Sequence, residues 1–227
     1  MRCKREPSDA VCPKSGLRGQ YNTSCVEVTA GGQTIILNVG SGIIGLGREL
    51  VRRSRASPMN LTLLPPHFHH DHTQGFPFFA PIHMPSTQLL IFGPQIGERN
   101  PEDALVELMH PSSFPVAFHQ LSSKPVVRTL HDKDQLRLAS KLARDISRSA
   151  VGAESVVIRT MRSDTHPGGV MFYRIEWQGR SVVYATDTER ALANSQQLIK
   201  FARGADLLCH ITRHCFRRWL EIGRSNR

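Results

Sequence analysis

The segment HFHHDH, which begins at His67, gathers metal-binding side chains within six residues. Imidazole and carboxylate groups are suitable ligands for zinc, iron or manganese. In an extended or tightly turning loop, His67 and His69 point to the same side, so they can share one cation. Asp71 and His72 lie one turn further on and can face a second cation, and two cations about 3.5–4 Å apart can hold a bridging hydroxide, which is a nucleophile at neutral pH. The spacing therefore predicts a metal site with two ions.

The elements around this segment explain how a folded chain would present it. Residues 60–64 (NLTLL) are typical of a short buried strand, which ends at Pro65-Pro66 immediately before the histidines. A loop that leaves such a strand is held by a rigid scaffold. Upstream, strands are predicted over 24–30 and 33–38, joined by the hairpin signal Gly31-Gly32, and a helix over 46–54 follows a glycine-rich turn.

The rest of the chain alternates between helical and extended patterns. Hairpin signals, such as Gln178-Gly179, also occur, so mixed sheets in a layered α/β domain are expected. The further predicted elements are strands over 88–92, 154–161, 170–177, 181–186 and 205–209, and helices over 101–109, 132–148 and 189–202.

The stretch HFHHDHTQGFPFFAPI (67–82) resembles the metallo-β-lactamase superfamily, and within it the phosphodiesterase-like branch of tRNA 3′-end-processing endonucleases and cyclic-nucleotide phosphodiesterases. Further stretches match in order: NTSCVEV (22–28) with LNVGSGIIGLG (37–47), THPGGVMFYRIEWQGRSVVYATDTE (165–189) and GADLL (204–208). The resemblance covers about residues 20–208. It implies the metallo-β-lactamase fold, an αββα sandwich of two mixed β-sheets flanked by helices, altered here at both ends.

The resemblance also implies two ligands beyond the histidine segment. His166 would join His67 and His69 around the first metal, and Asp187 would bridge both metals. Two other interpretations stay open, because His166 precedes a Pro-Gly-Gly turn and Asp187 is a favoured residue type for a helix N-cap. His70 is expected to point away from the metals.

The sequence departs from the family pattern in two places. Asn38 stands where the family usually has Asp, which supports the site from behind the ligands; the amide loses that charge. After the last strand, the family reaches a Gly-His-Ser segment whose His is the final ligand of the second metal, but this chain has Arg224 there. His210 and His214, spaced four residues apart as on one helix face, are a weaker alternative. The abrupt change in composition at Cys209 is what a shifted reading frame or a truncated gene product would produce.

These observations favour a metal-dependent hydrolase, with a phosphodiester as the expected substrate and a metal-bound hydroxide as the nucleophile. Asp71 is the expected catalytic residue, since it can orient or deprotonate the attacking water. Two divalent cations are expected, with Zn²⁺ favoured and Mn²⁺ or Fe²⁺ as alternatives. The competing hypotheses are a lactone or thioester hydrolase of the same fold, and a non-catalytic, degraded member that lacks the last ligand and binds its second metal weakly.

Composition sets the remaining expectations. The chain has 227 residues, 40% hydrophobic and 21% charged, which favours one folded domain over 20–208 rather than disorder. The net charge of +10 is concentrated in basic tails at 1–19 and 209–227. Solvated tails are the simpler interpretation and nucleic-acid binding is the alternative. No apolar run is long enough for a membrane span and the basic start lacks a signal-peptide core, so a cytoplasmic protein is expected. A homodimer is left open.

Overall fold

The computed structural model describes residues 1–5, 22–138, 155–188 and 196–211. These residues divide into two compact units, one drawn from Arg2–Thr29 and Thr34–Thr129 and the other from Met1, Ala30–Gln33 and Leu130–Arg227. Each unit contains most of one β-sheet. Within the described ranges, no helix is long and apolar enough to cross a membrane.

The first sheet has six strands in sequence order. Its central strands β3, β4 and β5 run parallel, whereas β1 is antiparallel to β2. The strands are β1 (Arg2–Arg5), β2 (Val26–Ala30), β3 (Gln33–Leu37), β4 (Met59–Leu64), β5 (Thr87–Pro94) and β6 (Val126–Leu130). The helices of the same unit are α1 (Gly42–Ser54), α2 (His70–Thr73) and α3 (Pro101–Leu108), with short 3-10 turns at Phe76–Phe78, Ala80–His83 and Phe118–Gln120.

Strand β4 is buried along four consecutive residues, 61–64, as expected for a central parallel strand covered on both faces. Helix α1 buries Ile43, Leu46 and Leu50 in the same core, in which Leu63 and Phe76 are fully buried. This core makes the end of β4 a rigid point of departure for the histidine segment.

The second sheet has five strands in the order β11-β10-β9-β8-β7. It is mixed, because β7 to β10 pair antiparallel and β11 lies parallel to β10. The strands are β7 (Gln135–Leu138), β8 (Val156–Ser163), β9 (Val170–Trp177), β10 (Arg180–Thr186) and β11 (Leu207–Ile211), and helix α4 spans Gln196–Ala202. Gln178 and Gly179 both have positive φ, which suits the two-residue hairpin between β9 and β10.

Most predicted elements are confirmed to within a few residues, but the helix predicted over 132–148 is wrong where the structure describes it. Residues 135–138 form β7 and pair with β8, because the cross-strand ladder outweighs the helix propensity of this segment; residues 139–148 lie outside the described ranges. The helix predicted over 189–202 is described only from Gln196. Strands β1 and β6 were not predicted, and β1 lies in the segment that was predicted to be a basic tail.

Candidate metal centre

The histidine segment leaves β4 through a buried Pro65-Pro66 step. His69 is still extended, with φ −63° and ψ 152°, and α2 then forms a single turn. The backbone N–H of His72 donates to the carbonyl of His69 at 2.9 Å, and the hydroxyl of Thr73 donates to the same carbonyl at 3.1 Å. The segment therefore changes from an extended chain to a helical turn after His69, where the sequence pattern predicts an extended or tightly turning loop.

This change brings the imidazoles of His69 and His72 close to that of His67. The ring centroids of His67 and His69 lie 4.6 Å apart, and those of His67 and His72 lie 4.1 Å apart. In each pair, a ring nitrogen of one residue lies within 4.8 Å of a ring nitrogen of its partner. His67 is 0% exposed and His72 4% exposed, whereas His69 and Asp71 reach solvent. The result is a histidine cluster that is buried on one side and accessible on the other.

His70, the residue that the sequence places off the site, is exposed. With Phe68 it lines a cavity of about 360 Å³. The same cavity is lined by Arg99 and Glu107, whose side chains form an ion pair.

A glycine turn after β3 holds the histidine segment by its backbone. The N–H of Val39 donates to the carbonyl of His72, and the N–H of Gly75 donates to the carbonyl of Val39, both at 3.2 Å. A Cβ on Gly40 would lie 2.7 Å from the carbonyl oxygen of Asp71, closer than real Cβ atoms come. The close approach explains why this turn needs glycine.

Asn38 precedes this turn and is fully buried, with φ 72°. Its Oδ1 accepts a hydrogen bond from the N–H of Val39 at 2.8 Å, and its Nδ2 lies 2.6 Å from Nδ1 of His72. On the other side of the ring, Nε2 of His72 lies 3.2 Å from Oδ2 of Asp71. Asn38, His72 and Asp71 therefore form one line of polar contacts, and the side chain at position 38 contacts His72 directly.

His166 belongs to the other unit, where it follows β8 and is 2% exposed. Its carbonyl accepts a hydrogen bond from the N–H of Gly169 at 2.7 Å, and Gly168 and Gly169 have φ of 82° and 84°. The turn interpretation of His166 is thus observed in the backbone. The ligand role of its imidazole stays a prediction.

Asp187 follows the last residue of β10, the fully buried Thr186, and has φ 49°. Asp is one of the few residues besides glycine that adopt this left-handed conformation readily. The N-cap interpretation concerns a helix start in residues 189–195, which lie outside the described ranges. The role of Asp187 as a bridging ligand stays a prediction.

The alternative that His210 shares a helix face with His214 is wrong for His210, which lies in strand β11. Its Nε2 contacts the hydroxyl of Thr188, and burial lowers the pKa of His210 below its usual value. Hydrogen bonding to β10 sets the extended conformation of this segment. Residue 214 lies outside the described ranges.

Comparison with known proteins gives the fold. No family model and no curated protein matches this sequence. Among solved structures, the chain is similar to the short form of human tRNase Z (ELAC1), with TM-score 0.55 and 20% identity over 91% of this chain and 76% of that one. It is also similar to a diphosphatase from the PhnP family, with TM-score 0.50 and 16% identity over 82% of this chain and 59% of that one.

A third similar structure is the metallo-β-lactamase fold protein YhfI from Bacillus subtilis, with TM-score 0.48 and 19% identity; the match covers 82% of this chain and 62% of that protein. The chain thus spans about three fifths of two of these three structures. The likeness to the first two, together with the two mixed sheets and their helices, confirms the metallo-β-lactamase fold predicted from the sequence.

Proposed function

We propose that this protein is a metal-dependent hydrolase that acts on phosphodiesters. The observation that carries the proposal is the histidine cluster, in which a fully buried imidazole contacts two others directly beyond the end of a central strand. A fold of this kind hosts several chemistries, so the site and not the fold must argue the function.

The donor set fits a divalent cation of borderline character. Neutral imidazoles favour Zn²⁺ and tolerate iron or manganese. We propose that His67, His69 and His166 hold one cation, that Asp71 and His72 are candidate ligands of a second, and that Asp187 is a candidate ligand of both. The order of the HxHxDH and HPGG…YATDTE motifs supports the inclusion of the two residues of the other unit.

A bound divalent cation would stabilise negative charge on a phosphoryl oxygen and lower the pKa of a coordinated water. The chain's own contribution to the reaction is the carboxylate of Asp71. This side chain is 64% exposed, so it can reach water and substrate, and its contact with Nε2 of His72 fixes its orientation. We propose that Asp71 orients the attacking water and accepts its proton.

A phosphodiester is favoured over other esters by analogy. The human tRNase Z and the PhnP-family diphosphatase are named for reactions at phosphorus, and the motifs TQGFPFF, HPGG and ATDTE resemble the phosphodiesterase-like branch. A lactone or thioester hydrolase remains the second candidate, because the same histidine motif serves those reactions. A non-catalytic member is the third.

The test is turnover by the purified full chain loaded with Zn²⁺ or Mn²⁺, with bis-p-nitrophenyl phosphate and a simple lactone compared side by side. We expect phosphodiester hydrolysis that disappears in His67→Ala and persists in the control His110→Ala, whose side chain is exposed. Faster turnover of the lactone would replace the substrate class. A metal-loaded chain that hydrolyses neither would favour the non-catalytic alternative.

A cytoplasmic location, a homodimer and nucleic-acid binding stay predictions from the sequence. The last of these would require an affinity that falls steeply with salt concentration.

A further inference from the structure

The side-chain NH₂ of Asn38 faces Nδ1 of His72. That nitrogen must carry the proton if Nε2 of the same ring is to bind a second cation. We propose that Asn38 is a positioning residue that holds His72 in the tautomer whose Nε2 carries the proton, and so disfavours metal binding at Asp71 and His72. This inference rests on the metal centre proposed above and concerns how many cations it binds tightly.

The first step is the orientation of the Asn38 side chain. The oxygen and nitrogen of an amide are distinguished by their hydrogen-bond partners. Here the backbone N–H of Val39 donates to Oδ1 at 2.8 Å, which requires an oxygen at that position. The NH₂ group is therefore the atom that lies 2.6 Å from Nδ1 of His72.

The second step is the tautomer of His72. The NH₂ group of Asn38 can only donate hydrogen bonds, so Nδ1 of His72 must be the acceptor. In a neutral imidazole with an accepting Nδ1, the proton sits on Nε2. Nε2 lies 3.2 Å from Oδ2 of Asp71, which is an acceptor. Contacts on both sides of the ring thus favour the same tautomer.

The third step is the consequence for a cation. Binding through Nε2 needs a lone pair there and moves the proton to Nδ1, where it would face the NH₂ of Asn38. Turning the amide over would instead set its NH₂ against the N–H of Val39. Because Asn38 is 0% exposed, bulk water does not reach the amide to relieve either clash of donors.

An aspartate at position 38 removes the conflict. A carboxylate accepts hydrogen bonds at both oxygens, so it can accept from Val39 and from a protonated Nδ1 of His72 at the same time. Outer-sphere partners of this kind change metal affinity by about 10–100-fold. We therefore expect Asn38→Asp to tighten binding of the second cation by about that factor.

The first experiment is calorimetric titration of the metal-free full chain with Zn²⁺, with a competing chelator to resolve tight sites. We expect one tight site in the wild type and a second site that becomes about 10–100-fold tighter in Asn38→Asp. Asn60→Asp is the matched control, because Asn60 is exposed on β4 and the substitution adds the same charge. Equal second-site affinity in both variants, or two equally tight sites in the wild type, would overturn the inference.

The second experiment needs no metal and no variant at position 38. Long-range ¹H–¹⁵N spectra of the metal-free wild type give the tautomer of His72, assigned by its loss in His72→Gln. We expect protonated Nε2, and a proton on Nδ1 would overturn the inference even where Asn38→Asp fails to fold. A chain that binds no Zn²⁺ would instead defeat the proposed function, while the spectra still decide the tautomer.

Discussion

Asn38 and Asp187 are located at comparable points in two different sheets. Each residue directly follows a mostly buried strand, β3 or β10, and each adopts a left-handed backbone, with φ 72° and 49°. Asn and Asp tolerate this conformation better than other non-glycine residues. The left-handed backbone thus favours Asn or Asp at both strand ends. Whether the residue is an amide or a carboxylate then depends on the chemistry of the site.

The two positions differ in that choice. The amide of Asn38 donates to His72, whereas the carboxylate of Asp187 can only accept or bind a cation. A strand end thus fixes where a side chain is placed, while one atom in that side chain favours one tautomer of the neighbouring imidazole.

The substitution with the largest expected effect is at Asp71. It tests whether the proton acceptor lies in the histidine segment or at the strand end that carries Asp187. Asp71→Asn keeps the size of the side chain but removes the proton acceptor. We expect kcat for the phosphodiester to fall about 10²–10⁴-fold, with Zn²⁺ at the first site retained. Steady-state kinetics and metal analysis of the same sample check this. Unchanged kcat would show that Asp71 is not the proton acceptor and would make Asp187 the next candidate.

The second prediction makes the two strand ends alike. Asp187→Asn keeps a residue that tolerates φ 49°, so we expect the free energy of unfolding to change by less than about 0.5 kcal/mol. Zn²⁺ affinity should fall at least about 10-fold, since a ligand matters no less than its outer-sphere partners. Chemical denaturation and zinc per chain after dialysis provide the two measurements, with Glu98→Gln in an exposed position as the control. Wild-type zinc content would show that Asp187 acts only through the backbone.

The third prediction concerns Gly40, in the glycine turn that follows Asn38. In Gly40→Ala, the added Cβ would crowd backbone oxygens of Asp71 and Ser24, at 2.7 and 2.9 Å. We expect unfolding to become easier by about 1–3 kcal/mol, with weaker zinc binding because the histidine segment shifts. Denaturation midpoints are compared with Ser57→Ala, an exposed substitution. A stable Gly40→Ala chain with wild-type zinc affinity would mean that the turn does not position the histidines.

The smallest effect lies in the second sheet, away from both strand ends. Burial alone raises the pKa of Glu176, but its hydrogen bonds from Arg174 and Arg159 outweigh this and lower the pKa below the ordinary value. The stabilisation is present above the ordinary pKa of about 4.3 and is lost as pH falls through the lower folded value. Because the side chain is 31% exposed and solvent screens its ion pairs, Glu176→Gln should cost less than about 1 kcal/mol at pH 7.

Denaturant titration at several pH values tests this last prediction. The difference between wild type and Glu176→Gln should shrink as the pH is lowered below about 4.3. A difference that is constant with pH would assign the effect to packing and not to charge.

The fold could be predicted where local signals agree with tertiary pairing. Gly31-Gly32 and Gln178-Gly179 mark their turns, and the apolar run at 60–64 marks β4, because these features depend on nearby residues. Strand β7 was missed because its residues favour a helix in isolation, and only the ladder to β8, whose paired residues lie 18 to 24 positions further along the chain, makes it extended.

The site could be predicted in part for the same reason. The contact of His67 with His69 and His72 follows from spacing within six residues. The contact of Asn38 with His72 joins residues 34 positions apart, and its direction depends on the backbone N–H of Val39. The family pattern marked position 38, but no sequence signal states which way an amide points.

The backbone bonds among Leu64, Asn38, Val39, His72 and Gly75 tie the glycine turn and the histidine segment into one structural cassette. Transplanting residues 67–75 onto another scaffold without residues 38–42 would therefore deliver the imidazoles without the frame that orients them. Chimeras built on this chain should exchange both segments together, as a single module made of two distant pieces of sequence.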